Sequence, residues 1–282
     1  MSRGNVLANF PGDMGDLLIV LTDELYNGTK ATGEAATPAG RMLLESAARA
    51  GFNSEAKVRG WVAKMASQMQ GHHCSMIGAW GPRTEGGRVL TGRNLDWESR
   101  TGIDEHKLIV VYHPPEGGHA HATIGFSTVQ GALTGMSSEG LTVHEANLEE
   151  SSETFRGFPW LLRLRYLMEH AEDLASARAV WEATNNTVGF NHGVGSAKDQ
   201  SFMALETEAW YTAYFGANDP REAKAVDPKS GKPIGGPMPN ALWRTNHGYD
   251  PKIQQDFMWS QSPTSNTVFR YMLIRQTLLD YE

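Results

Sequence analysis

The chain is short of several things, and each shortage narrows what it can be. It holds one cysteine in 282 residues. No intramolecular disulfide is therefore available, and nothing argues for an oxidising compartment. Basic residues number 25 against 32 acidic, a net charge of −7. With no basic block as well, the sequence points away from a nucleic-acid partner. No stretch approaches the ~18 apolar residues that a membrane span needs. The longest early apolar run, residues 17–21, is too short for a signal h-region and follows Asp13 and Asp16. The default expectation is the cytoplasm, with lysosomal or secreted localisation in reserve if the natural N-terminus is longer. Asn27-Gly28-Thr29 and Asn185-Asn186-Thr187 match the N-glycosylation pattern, a triplet that often arises by chance.

What is present is an ordinary globular composition, 40% hydrophobic and 20% charged, in a chain long enough for one large domain or two small ones. Three textures follow one another. Residues 1–73 read as helical, with apolar residues at helical spacing in "PAGRMLLESAARAG" and "SEAKVRGWVAKMASQM". Between 75 and 148 the pattern shortens to strands punctuated by glycine: "SMIGAW", "GRVLTGRNLDW", "KLIVVYH", "HATIGF" and "GLTVHEANL". Residues 157–184 are helical again, as two helices broken near Glu172-Asp173. The stripe Trp160, Leu161, Leu164, Leu167 and Met168 reads as core. "SFMALETEAWYTAYFG" is a hairpin turning near Glu208, and a Pro/Gly/Lys loop over 227–239 precedes "ALWRTNHGYDP". Runs of strands, then a helical pair, then strands predict α+β layering in place of alternating βαβ units.

The lone Cys74 sits in "GHHCSMIGAWG", after two histidines and before a strand. Four readings compete. A free cysteine is most often a small buried hydrophobe. A metal site with His72, His73, His119 and His121 lacks C-x-x-C or H-x-x-x-H spacing. A papain-like pair lacks its flanking motif. The fourth reading makes Cys74 a nucleophile that becomes a chain terminus by cleavage of the His73–Cys74 bond.

Nineteen residues on, "GRNLDW" supplies Arg93 and Asp96. A cysteine followed by a small hydroxyl residue, a strand, a glycine turn and a strand carrying Gly-Arg-Asn-x-Asp-Trp resembles the cysteine N-terminal-nucleophile (Ntn) hydrolases. That group includes choloylglycine (bile salt) hydrolases, penicillin V acylases, acid ceramidase and acyl-CoA:6-aminopenicillanate acyltransferases. "EGLTVHEANL" is similar to the segment that sets an asparagine, here Asn147, beside the nucleophile. "RTNH" is similar to the segment whose asparagine, here Asn246, completes the oxyanion hole. "SPTSNTVFRY" is similar to the segment that contributes a last arginine, here Arg270. The resemblance implies a four-layer αββα sandwich of two mainly antiparallel sheets. It also implies a 1–73 propeptide or α-subunit and a 74–282 catalytic β-subunit that stay paired after self-cleavage. The substrate it implies is a small N-acyl amide, with no cofactor and no metal; homo-oligomerisation is left open. N-acyl transfer to an amine, and a non-catalytic binding role with Cys74 uncleaved, are the alternatives.

The chemistry fits these residue types. A thiol attacks as thiolate and has a free pKa near ~8.5. The α-amine of an N-terminal cysteine, with a pKa of about 7.7–8, can accept its proton without a histidine base. Asp96 would hold that amine, and Arg93 would favour the thiolate. The two are three residues apart, so a regular strand points them to opposite faces. Both reach Cys74 only if the strand ends or bulges near Leu95. The same resemblance implies that Asn246 Nδ2 and the Asn147 backbone N–H are the oxyanion donors. His144 and Glu145, adjacent in a strand, are candidate substrate contacts, since one of them must face inward. "FPWLLRLRYLM" and "WYTAYF" would suit a fatty or aromatic acyl chain, and would equally serve as core. The chain stops twelve residues after Arg270, earlier than relatives, so an open sheet edge or exposed apolar patch is expected near residue 282.

Overall fold

The computed structural model describes residues 73–96, 105–115, 117–127, 129–148, 152–154, 156–227, 230–256 and 265–280. The expected propeptide, apart from His73, lies outside the described residues.

Two antiparallel sheets stack face to face. The smaller has the order β10-β1-β2, with β1 His73–Gly81, β2 Gly87–Asp96 and β10 Ala241–Arg244. The larger is a seven-stranded meander: β3 Lys107–Tyr112, β4 His121–Phe126, β5 Thr134–Ser137, β6 Leu141–Asn147, β7 Phe190–Ser196, β8 Ser201–Glu208 and β9 Tyr211–Phe215. Helices α1 (Trp160–His170) and α2 (Leu174–Glu182) cover its outer face. There Gly135 closes on Met168, and Trp181 packs 4.7 Å from the His192 ring. The short α3 (Pro220–Lys224) and α4 (Pro251–Asp256) flank β10 in sequence, and α5 (Asn266–Asp280) backs the smaller sheet. Tyr271 of α5 stacks 4.8 Å from Trp243 of β10 and takes its indole N–H on the main chain. The layers are helix, sheet, sheet, helix.

Strand β1 alternates buried and half-buried residues along its length, as a two-residue period requires. Cys74, Met76, Gly78 and Trp80 point at the larger sheet, and the hairpin to β2 turns through Gly81 and Gly87 at φ of 60° and 73°, a region that glycine enters without strain. The sheets meet closely at glycine. Phe202 lies between Gly78 and Gly193, where a Cβ on either would stand 2.3 Å from its ring. The helical stripe from Trp160 to Met168 is buried, as expected, and the helix break falls at 171–173. The N-cap Asp173 accepts from the Ser176 N–H while Ser176 answers with a reciprocal bond. Exposed apolar side chains do occur on α5, at Phe269 and Leu273. A larger group sits elsewhere, on β3–β5, where Ile109, Val111, Ile124 and Met136 extend beyond the reach of the smaller sheet.

Candidate active site

Cys74 is the second residue of β1 and is 2% exposed, packed with Met76, Ala146 and Leu95. Its partners come from β2, β6 and α5 and from the loop that follows β10. Arg93 stands opposite Met76 in the β1–β2 register, so both arginine and thiol face the larger sheet. Its Nη2 lies 3.6 Å from Sγ, and its Nε donates to the Glu145 carbonyl at 2.8 Å. The same guanidinium pairs with the Glu145 carboxylate, both side chains being about 5% exposed or less. Strand β5 pairs with β6 only at Thr142 and Val143, which leaves the Glu145 carbonyl at an edge where Arg93 can reach it.

Strand β2 runs to Asp96 in unbroken register. Of the two ways the sequence spacing left open, a bulge or a strand end near Leu95, there is no bulge: the strand ends one residue later, at Asp96, and the irregularity of this hairpin falls between Ala79 and Gly81. Regular geometry divides the pair instead. Arg93 reaches the thiol with its side chain, while Asp96 turns an exposed carboxylate to the far side, opposite His73. What Asp96 offers the sulfur is its backbone N–H, joined by that of Asn147.

The main chain of Cys74 is held as firmly as its side chain. Its N–H donates to Asn246 Oδ1 at 2.9 Å, in the place where an Asp96 contact was expected. Asn246 Nδ2 donates to the Asn147 carbonyl at 2.7 Å. Arg270 Nη1 donates to the Cys74 carbonyl and to Ser75 Oγ at 2.8 Å, and its Nη2 donates to Asn246 Oδ1 at 2.7 Å. Ser75 was singled out in the sequence only as a small hydroxyl; its contact with Arg270 is new. The other five residues of the expected constellation thus gather around Cys74, Asp96 and Asn147 through their backbone N–H groups.

His144 and Glu145 are both buried, at 6% and 3% exposure. His144 faces the smaller sheet beside Phe202 and bonds Thr134 Oγ1 through Nδ1 at 2.7 Å. Burial, with Arg93 nearby, lowers its pKa to about 4, so the ring is neutral. Glu145 is occupied by Arg93. In the continuous chain the Cys74 thiol is pushed up to about 11. Burial is the main cause and the Glu145 charge the second; Arg93 and the two N–H groups oppose them. The thiol is protonated there at neutral pH. The aromatic hairpin stands apart: Trp210, Tyr211 and Tyr214 line a cleft of about 260 Å³ with Trp181 of α2, on the helix-bearing side of the larger sheet. Among the described residues no cluster of three or more His, Cys, Asp or Glu side chains could hold a metal ion. Among them also, no helix is long and apolar enough to cross a membrane.

With this geometry in place, comparison with known proteins is decisive. The family described as acyl-coenzyme A:6-aminopenicillanic acid acyl-transferase matches residues 83–282. The chain belongs to that family. Two Dictyostelium discoideum proteins are similar in sequence. Protein dcd1B is 29% identical over 135 residues, 47% of this chain and 27% of its own length, and protein dcd1A is 26% identical over 156 residues, 52% and 35%. The chain therefore matches about a third or less of these curated relatives. In fold it is similar to the Caenorhabditis elegans N-acylethanolamine-hydrolyzing acid amidase ortholog, with a TM-score of 0.50 and 15% identity over 74% of this chain and 80% of that one. The α+β sandwich is thus the Ntn-hydrolase architecture, and the protein is homologous to Ntn enzymes. The match begins at residue 83, so Cys74 lies just outside it and its role rests on the geometry around it.

Proposed function

We propose that this member of the acyltransferase family is an amidohydrolase whose nucleophile is Cys74, released as an N-terminus by cleavage of the His73–Cys74 bond. The observation that carries the reading is the convergence on Cys74: Arg93 at its sulfur, the N–H groups of Asp96 and Asn147 beside it, Asn246 and Arg270 on its main chain. A structural cysteine needs none of these.

The thiol attacks the carbonyl carbon of a linear N-acyl amide, and its proton passes to the α-amine. The tetrahedral oxyanion takes hydrogen bonds from Asn246 Nδ2 and the Asn147 N–H; losing one such donor typically costs about 10²–10³ in rate. The amine leaves with a proton, and water hydrolyses the thioester. Asn246 Oδ1, which accepts the Cys74 N–H, holds the new α-ammonium, and Asp96, opposite His73 in the strand register, adds its negative charge from the exposed side. Arg93 stabilises the thiolate, and Glu145 and His144 line the wall behind it. The family description favours a second reading, in which an amine in place of water takes the acyl group.

Labelling with a panel of electrophilic N-acyl amides, followed by mapping of the adduct, tests the nucleophile. Modification of Cys74 that is lost in Cys74→Ala supports it, and modification elsewhere overturns it. Partition of the acyl-enzyme between water and added amine separates hydrolase from acyltransferase.

A further inference from the structure

The residue that orients the Cys74 main chain and offers an oxyanion donor, Asn246, is itself held from behind. Its own N–H donates to Thr267 Oγ1 at 2.8 Å, in the first turn of α5. Thr267 is 8% exposed and belongs to a closed polar chain with Thr245 and His247, each fully buried.

The protons of this chain can be assigned one by one. Tyr249 Oη donates to the Ile234 carbonyl at 2.9 Å, so the 2.6 Å contact with His247 Nε2 takes its proton from the histidine. His247 is neutral, its pKa lowered to about 3 by burial and by Arg244 and Arg270. Nδ1 therefore carries a lone pair, which accepts from Thr267 Oγ1 at 2.8 Å. Thr245 Oγ1 sends its proton to the Thr267 carbonyl at 3.0 Å. With its proton committed to His247 Nδ1 or to Thr245 Oγ1, 3.0 Å away, the Thr267 hydroxyl presents a lone pair to the Asn246 N–H. One turn further along the same helix, Arg270 bonds the Asn246 side-chain oxygen. The first two turns of α5 thus grip Asn246 at both backbone and side chain.

We infer that Thr267, oriented by His247, is a positioning residue that holds Asn246 in register with Cys74. The inference rests on the proposed role of Asn246. Its logic is geometric: Asn246 Oδ1 already accepts two donors, and one Nδ2 hydrogen is taken by Asn147. The side chain delivers its remaining hydrogen to a reacting oxygen only if its backbone does not shift. Displacements of about 1 Å in such sites can cost on the order of 10²-fold in rate.

The test uses Thr267→Val and Thr267→Ser in the full chain, assayed with fluorogenic N-acyl aminocoumarins of varied acyl length. Thr267→Val is expected to lower kcat by about 10- to 100-fold with KM little changed, and Thr267→Ser to restore it. In an Asn246→Ala background the Thr267→Val loss should vanish, because the relay then has nothing to position; a merely structural role would persist. An undiminished loss in that background, or parental kcat in Thr267→Val, overturns the inference. Should Thr267→Val not fold, Thr267→Ala is read in the same cycle with the same outcomes. The NMR signals of the Asn246 side-chain amide give a readout independent of turnover. They should shift in Thr267→Val and stay put in Thr267→Ser, and no shift in the valine variant contradicts the relay. If Asn246→Ala itself leaves turnover intact, the role given to Asn246 fails, while the amide signals still decide the relay.

Discussion

At the scale of single residues, Arg93 is the group most widely shared. Its guanidinium serves the Cys74 sulfur and the buried Glu145 at once. Removing one partner of a buried ion pair typically costs about 3–5 kcal/mol, because the other charge is stranded. Arg93→Gln should therefore lower stability by an amount of that order, readable by denaturant unfolding. The double variant Arg93→Gln, Glu145→Gln should recover stability without recovering activity. Glu145→Gln alone removes a charge that raises the thiol pKa, so alkylation of Cys74 in the continuous chain should reach half-maximal rate below pH 11; an unchanged titration would separate Glu145 from the thiol. On the proposed mechanism the base of the cleaved enzyme is the α-amine. Asp96 favours its ammonium form and Arg93 disfavours it. The acidic limb of kcat/KM should accordingly move down in Asp96→Asn and up in Arg93→Gln. A limb that disappears on replacing His144 would mean a histidine base instead.

At the scale of elements, the sheets are set apart by glycines that receive Phe202. Gly193→Ala brings a Cβ to 2.3 Å from the Phe202 ring and 2.9 Å from Met76 Sδ. Such overpacking commonly costs about 1–3 kcal/mol. Met76 lies between Cys74 and this contact in β1, so activity should fall along with the unfolding midpoint, and an alanine variant of parental stability would show that the sheets have slack. The same glycines explain what the sequence hid. Strands β1 through β4 and β6 were legible as short apolar runs punctuated by glycine. Strand β7, "FNHGVGS", was not, because a strand that offers Gly193 and Gly195 as sockets looks like a loop by composition. The short β5 and β10 carry too few residues for a period to show. Helix α5 was read only as an arginine segment, since its apolar residues form no clear stripe: only Thr267, Val268 and Tyr271 are buried. Its first two turns were therefore invisible as the clamp on Asn246.

At the scale of the whole molecule, buried histidines tie stability to pH. His144 and His247 are lowered to about 4 and about 3 by burial, with Arg93 and Arg244 adding to it. Unfolded, both take up protons near pH 6.5, which the folded state refuses; stability is therefore lost as pH falls below about 6.5. Each contributes about 1.4 kcal/mol per pH unit between its folded and unfolded values. Glu145 and Glu206, raised mainly by burial, act in the opposite sense, so the comparison belongs between variants. His144→Gln should flatten the fall in unfolding free energy between pH 6.5 and 4.5 relative to the parent; equal slopes would mean that His144 is protonated in the fold. At this scale the layering was legible from the order of textures along the chain, and the candidate site from "GRNLDW" and the motifs after it. The spacing already set Arg93 and Asp96 on opposite faces of a regular strand; that β2 keeps its register as far as Asp96, and so divides their roles, was not legible, because nothing local to the motif fixes the pairing.

The central claim is that the working nucleophile is a chain terminus. The most direct measurement is mass spectrometry of the purified, catalytically active protein, with sequencing of the N-terminus that bears the acyl adduct. Two fragments are expected, residues 1–73 and 74–282, with the adduct on the Cys74 sulfur and a free α-amine on the same residue. An intact 282-residue chain that turns over amides at the full rate would contradict it.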